Sequence, residues 1–253
     1  MEPSTLVLIG GFSTLVGVLI GGVGVGGVLL VPMLTFVFGL DIHVAIAAAM
    51  FSYLFSGAVG AAIYARNHSI RWAMALWLFA GAMPAAFAGA MASSVSPTRG
   101  LEFLIALLIV FAGANALLTR GDDDRGGRPL NAVALAAIGA VTGFGSALTG
   151  TGGPLILVPI LVWLKVPALT AVGLSQAIQL PIASLATIGN FLYGSVDMVV
   201  GGVIAVALMA GASLGARFAH AVSPSTLRTV VAWVLVAVGL LIIGRISISW
   251  AVP

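Results

Sequence analysis

The 253-residue sequence contains no cysteine, which removes disulfides, thiolate metal ligands and any chemistry that passes a substrate through a protein thiol. It is also poor in charge: ten basic and seven acidic residues make up 7% of the chain, against roughly 25% in soluble domains. So few charges cannot cover a chain of this size in water, and most of its surface must face lipid instead. Soluble enzymes, nucleic-acid-binding modules and disordered tails are thereby excluded. The net charge of +3 does not restore a nucleic-acid partner, because the basic residues stand scattered between apolar runs and form no patch. Acids are missing from the interior of the apolar segments as well. Asp41 and His43 fall between runs, Glu102 in a first helical turn and Asp197 beside a helix start, so a proton relay, which needs an intramembrane carboxylate or histidine, has little to draw on. The opening Met1-Glu2-Pro3 lacks the basic region of a signal peptide and reads as the start of a mature chain.

What is present is apolar residue, 61% of the chain, arranged in runs. A membrane helix needs about 20 residues, and six runs reach that length. Shorter runs at residues 6–20 and 28–40 flank the glycines of 21–27, and runs at 131–148 and 154–164 flank residues 149–153, so each pair is expected to be one broken unit. The single hydrophilic stretch, residues 120–128 (RGDDDRGGR), divides the chain. On either side the same landmarks recur at an offset of 127: Pro32 with Pro159 in VPML and VPIL, and Pro97 with Pro224 in SVSP and AVSP. The chain therefore reads as a first membrane repeat (1–119), a cytoplasmic linker (120–130) and a second membrane repeat (131–253). Ser96-Pro97 and Ser223-Pro224 suit an N-cap followed by proline in the first helical turn.

Charge placement orients the halves. If each broken unit crosses the membrane once, the Lys and Arg residues split six to four. If each returns to its starting side, Arg66, Arg71, Arg120, Arg125, Arg128, Lys165, Arg217 and Arg228 fall together, with only Arg99 and Arg245 opposite. The second arrangement satisfies the positive-inside rule. The expected fold class is thus an all-α polytopic membrane protein of two inverted repeats, each a glycine-broken re-entrant or double-crossing helical unit followed by three transmembrane helices. The linker lies in the cytoplasm and both termini outside.

Five of the seven residues at 21–27 are glycine, and Gly150-Thr151-Gly152-Gly153-Pro154 occupies the matching place in the second half. Each glycine costs about 1 kcal/mol in a helix and proline about 3, so these stretches unwind, which is tolerable at membrane depth only where backbone is buried in protein or lines a cavity. Paired discontinuities of this kind point to a transport site. The helix starts that follow, at Gly24, Gly26, Gly27 and Val28 and at Gly150, Thr151, Gly152 and Gly153, offer free N–H groups and the positive end of a dipole to an anion. The competing explanation, close helix packing, better fits isolated pairs such as Gly57 with Gly60 and Gly211 with Gly215. Gly22, Gly24 and Gly27 also match a dinucleotide fingerprint, but no strand precedes them and no ribose-binding acid follows. Ser52 with Ser56, and Gln176 with Gln179, each share a helix face, and Ser52 matches Gln179 under the offset. Both pairs are candidates for a cavity whose neutral donors bind a small oxyanion and still release it. For Ser52, Ser56 and Asn115 interhelical bonding is an equal alternative. Asn190, Tyr193 and Tyr64 stand near helix ends, where interfacial residues collect. No metal or cofactor is expected.

The two blocks GGFSTLVGVLIGGVGVGGVLLVPML and GAVTGFGSALTGTGGPLILVPIL resemble the TauE/SafE sulfite exporter family, also called toluene sulfonate uptake permeases. The resemblance covers essentially the whole chain. The first block departs from the family's triple glycine by Val25 and Val28, and the second by Pro154. The resemblance implies a multi-pass permease of a bacterial inner membrane, surrounded by lipid, that moves sulfite, sulfoacetate or another organosulfonate. Alternating access about the two breaks is the mechanism expected, and no enzymatic activity. The competing classes are a permease for another small oxyanion, a membrane scaffold or assembly factor, for which the polar loops are short, and an intramembrane protease, for which Ser146 and His220 make a poor pair.

Overall fold

A computed structural model describes residues 2–23, 26–118, 130–194 and 196–218. Gly24 and Val25 of the first break, the hydrophilic stretch at 120–128, the side chain of Asn115, and the last run with His220, Pro224, Arg228 and Arg245 lie outside the described residues. Every described element is helical: α1 (Pro3–Val23), α2 (Gly27–Val37), α3 (Ile42–Arg66), α4 (Trp72–Val95), α5 (Thr98–Leu118), α6 (Ala132–Thr149), α7 (Gly153–Trp163), α8 (Ala168–Tyr193) and α9 (Met198–Phe218). Six of these are long and apolar enough to cross a membrane, namely α1, α3, α4, α6, α8 and α9, whereas α2 and α7 are half-length. The scarce polar residues of the loops start helices. Asp41 accepts from the His43 amide at 2.8 Å, Asn131 from Ala134 at 2.7 Å, and Asp197 from Val199 and Val200 at 3.0 Å. Ser96 behaves differently from the expected N-cap. Its hydroxyl donates back to the Ala92 carbonyl at 2.7 Å and closes α4, while the Pro97 carbonyl accepts from Leu101 and opens α5.

The first broken unit also differs from its expected outline, because α1 continues through Gly21 and Gly22 to full length. Packing explains why. A Cβ on Gly21 would overlap the Ala212 carbonyl of α9, and one on Gly17 would lie 2.7 Å from the Leu208 carbonyl, so Gly17 and Gly21 bring two backbones together and the contact offsets their low helix propensity. Gly211 and Gly215 of α9 face Thr14 and Val18 of α1 in the same way. On the other side, Gly81 of α4 abuts Ala136 of α6, while Gly139 and Gly143 of α6 abut Leu78 and Ala82 of α4. Many of the residues buried between helices are small, as Ala45, Ala48, Ala49, Ala82, Ala86 and Ala90 are, and they stand beside buried Leu78, Leu157 and Leu174, while other large apolar side chains such as Leu15, Leu76, Val133, Val141 and Val206 point outward. That distribution suits a lipid solvent, which leaves close van der Waals contact to hold helices together.

Helix partners cross between the halves: α1 packs on α9, α4 on α6, α3 on α8, α4 on α8 and α3 on α9. Exchanging each helix for its counterpart 127 residues away (α1 for α6, α3 for α8, α4 for α9) returns the same set of pairs. The two halves thus interlock about the α3–α8 contact.

At each break the chain doubles back. Were α6 and α7 one straight helix, positions 145 and 156 would stand about 16 Å apart. Instead a Cβ on Gly145 would lie 2.8 Å from Ile156 Cδ1, and the Ser146 hydroxyl donates to the Gly152 carbonyl at 2.9 Å. In the first half, Gly26 returns against α1, where its Cβ would meet the Val16 carbonyl at 2.8 Å and the Ile20 nitrogen at 2.9 Å.

Candidate functional site

The breaks are built from local backbone demands. Gly150 ends α6 in the left-handed region at φ 66°, and Gly152 precedes α7 at φ 76° and ψ 158°, a combination open essentially to glycine alone. Thr151 between them is fixed by its hydroxyl. Because Thr149 Oγ1 gives its proton to the Gly145 carbonyl at 2.7 Å, Thr151 Oγ1 is the donor in the 3.0 Å contact between the two threonines. Pro154 in the first turn of α7 has no N–H to satisfy. The matching start of α2 is a 3-10 turn at Gly27–Leu29 following Gly26. No side chain caps either helix start, so both keep their first amides for another partner.

These two starts meet. A Cβ on Gly27 would lie 2.9 Å from the Thr151 carbonyl oxygen, which puts the first break directly against the second. Between them is a small cavity with room for about one water molecule, lined by Ile20, Gly26, Gly27, Tyr53, Thr151, Gly152, Pro154, Leu155 and Gln179. None of the lining residues is charged. The site is therefore an uncharged pocket in which glycine backbone stands beside Ile20, Pro154 and Leu155, with Thr151, Tyr53 and Gln179 as its polar residues.

Of the residues singled out by sequence, Gly26, Gly27, Thr151, Gly152 and Gln179 line this cavity. Val28, Gly150 and Gly153 are buried in the adjoining turns, and Gly153 faces Ile178 and Gln179 of α8. Ser56 stands one contact back, where its hydroxyl accepts from Gln179 Nε2 at 3.1 Å. Gln176 also points to the unit: its Nε2 donates to the Ile20 carbonyl near the end of α1 at 3.1 Å, while its Oε1 is buried without a partner among the described residues. Ser52 is placed elsewhere. Its hydroxyl turns back to the Ala48 and Ala49 carbonyls of its own helix, at 2.9 and 2.8 Å. Gly57 and Gly60 of α3 let the glutamines lie flat, since a Cβ would come 3.3 Å from Gln179 Cγ and 2.5 Å from Gln176 Oε1.

Tyr53 escaped the sequence reading. It is fully buried, donates its hydroxyl to the Gly27 carbonyl at 2.6 Å, and presents its ring edge 3.5 Å from where a Gly152 Cβ would stand. The available signal was its place next to Ser52 on α3, mid-span, where a tyrosine is neither interfacial nor apolar. Asn190 likewise differs from an interfacial residue, being 4% exposed, whereas Tyr193 is 51% exposed. Among the described residues no cluster of His, Asp or Glu forms a metal site.

Comparison with known proteins gives concordant results. The family model described as Sulfite exporter TauE/SafE matches residues 7–242. A probable membrane transporter protein of Bacillus subtilis (strain 168) is 26% identical over 239 residues, covering 90% of this chain and 96% of that one. One from Methanocaldococcus jannaschii is 24% identical, covering 93% of each chain, and one from Xylella fastidiosa (strain 9a5c) is 26% identical, covering 99% of this chain and 98% of its own. No solved structure matches the chain.

Proposed function

Because the chain belongs to the TauE/SafE sulfite exporter family, we propose that this multi-pass membrane transporter moves sulfite or an organosulfonate anion across a bacterial inner membrane by alternating access. The anion binds where the starts of α2 and α7 converge. The observation that carries this reading is that two uncapped helix starts, one from each half, border the same cavity together with Gln179. Each start carries roughly half a positive charge and free amides, and in a low-dielectric pocket such donors bind an oxyanion strongly without a countercharge. Neutral donors also allow release, which a buried lysine or arginine would oppose.

The cavity as it stands is too tight for a sulfonate, so uptake and release require the halves to move apart on one side at a time. The glycine-seamed pairs α1–α9 and α4–α6 move as rigid bodies, because their backbones touch, and the α3–α8 contact is where they slide. The inverted orientation of the halves, with the linker cytoplasmic, makes the inward and outward openings equivalent motions.

Purified protein tested by thermal shift against sulfite, sulfate, thiosulfate, sulfoacetate and aromatic sulfonates identifies the anion, since a ligand bound to the folded state raises its apparent stability. In vesicles, Gln179→Leu and Gly153→Leu are expected to lower flux of that anion by at least about tenfold. Normal flux in both variants at normal expression ends the assignment.

A further inference from the structure

Beyond Gln179, α8 carries a second pair of polar side chains that the cavity does not use. Thr187 and Asn190 are 5% and 4% exposed, and neither Thr187 Oγ1 nor Asn190 Nδ2 has a hydrogen-bond partner among the described residues. Burying a donor without an acceptor is costly. The hydroxyl had a local alternative that this chain takes repeatedly: Thr14, Thr149, Ser184 and Ser213 all donate to the carbonyl four residues earlier, at 2.7 to 2.9 Å. The Thr187 hydroxyl makes no such bond to the Ala183 carbonyl.

The two donors stand in line with the cavity. At 100° per residue, Gln179, Ala183, Thr187 and Asn190 fall within about 80° of one another on α8, and Asn190 lies about 16 Å along the axis from Gln179. Ala183 is fully buried and carries only a methyl group between them. Opposite, Gly189 brings α8 against Ala90 of α4, where a Cβ would come within 2.7 Å. One turn on, the Phe87 and Tyr193 rings meet edge to face with centroids 6.1 Å apart, at the end of the helix.

We propose that Thr187 and Asn190 form a second anion station between the central cavity and the face of the protein at the α8 C-terminus, donating hydrogen bonds to the oxygens of a passing sulfite or sulfonate. The proposal rests on the central site described above and extends it into a route. The unpaired nitrogen of Asn190 can only donate, and the Thr187 hydroxyl can donate beside it, a pairing that fits an anion. The same donor has no acceptor on α4, where a purely structural interhelical bond would have supplied one.

The test measures flux of sulfite and of an alkyl sulfonate in vesicles for Thr187→Val, Asn190→Leu, Asn190→Ser and the Thr187→Val/Asn190→Leu pair, with the sulfite-induced thermal shift of each purified variant. The double variant is expected to transport at least about tenfold more slowly than wild type, with Asn190→Ser above Asn190→Leu and the sulfite-induced shift retained in all. Wild-type flux in the double variant overturns the station, as does equal loss in Asn190→Ser and Asn190→Leu, which would assign Asn190 to packing. Thr187→Val keeps the side-chain shape and decides the matter if the Asn190 variants do not accumulate: unchanged flux sinks the station. Normal flux in Gln179→Leu beside a slow Thr187→Val would instead remove the central site and leave the station standing.

Discussion

The Tyr53 hydroxyl donates to the Gly27 carbonyl at 2.6 Å, and so ties α3 to the first turn after the first glycine break at the point where that turn touches Thr151. One phenol thereby fixes how the two breaks face each other. Tyr53→Phe keeps the ring and removes one of two hydrogen bonds to the Gly27 carbonyl, which still accepts from the Leu30 amide, a loss of about 0.5 to 1.5 kcal/mol. We expect a lower thermal midpoint in detergent and a higher half-saturation concentration for transport. A variant matching wild type in both would show that the bond does not hold the site.

Gly152 offers a sharper test of the second break. Its backbone conformation, φ 76° and ψ 158°, excludes a side chain, although the nearest atom to an added Cβ is 3.5 Å away. Gly152→Ala is therefore disfavoured by backbone strain of about 1 to 3 kcal/mol and not by a clash. Flux should fall while expression persists, and unchanged flux would mean that the loop shape is not needed.

Glycines at the helix seams differ from those facing open space. A Cβ on Gly139 would overlap the Leu78 carbonyl, so Gly139→Ala should destabilise by about 1 to 3 kcal/mol or more. Gly202 has nothing within 4 Å, and Gly202→Ala should be neutral or gain up to about 1 kcal/mol from helix propensity. Thermal unfolding of the two variants side by side checks the assignment of the α4–α6 seam.

Transport of an anion without a coupling proton is electrogenic. A membrane potential contributes about 2.3 kcal/mol per charge per 100 mV, so about 60 mV, inside negative, should support a roughly tenfold outward gradient of a monovalent sulfonate. Vesicles clamped at set potentials measure it. A gradient that followed pH and ignored potential would require proton coupling.

Topology is open to direct measurement. Reporter fusions at residues 122–128 should report the cytoplasm and a fusion after Pro253 the outside, as the eight-to-two distribution of basic residues predicts. A linker found outside would reverse the proposed orientation.

Several features were legible without coordinates because they depend on composition or on local backbone cost. Scarce charge required lipid-facing helices, and Gly150, Gly152 and Pro154 could not continue α6 in a straight line. The glycines at 21–22 carry the same local signal and yet remain helical, where α9 lies against Gly21. Ser52 and Ser56 read alike along the chain, but only Ser56 faces Gln179, while Ser52 bonds to its own helix. Nothing local separates those two serines, since the difference is the position of α8.

The sequence by itself determined that the chain lives in a membrane and that α6 cannot run on through residues 150–154, since each follows from the cost of charge in lipid or of glycine and proline in a helix. Only the tertiary structure decided that the two breaks face each other across one cavity, that Tyr53 joins them, and that Thr187 and Asn190 lie buried without partners among the described residues. Those facts depend on contacts between different helices, 26 positions apart for Tyr53 with Gly27 and 124 for Gly27 with Thr151, or on the absence of one, and no pattern along a single helix encodes which neighbour will arrive.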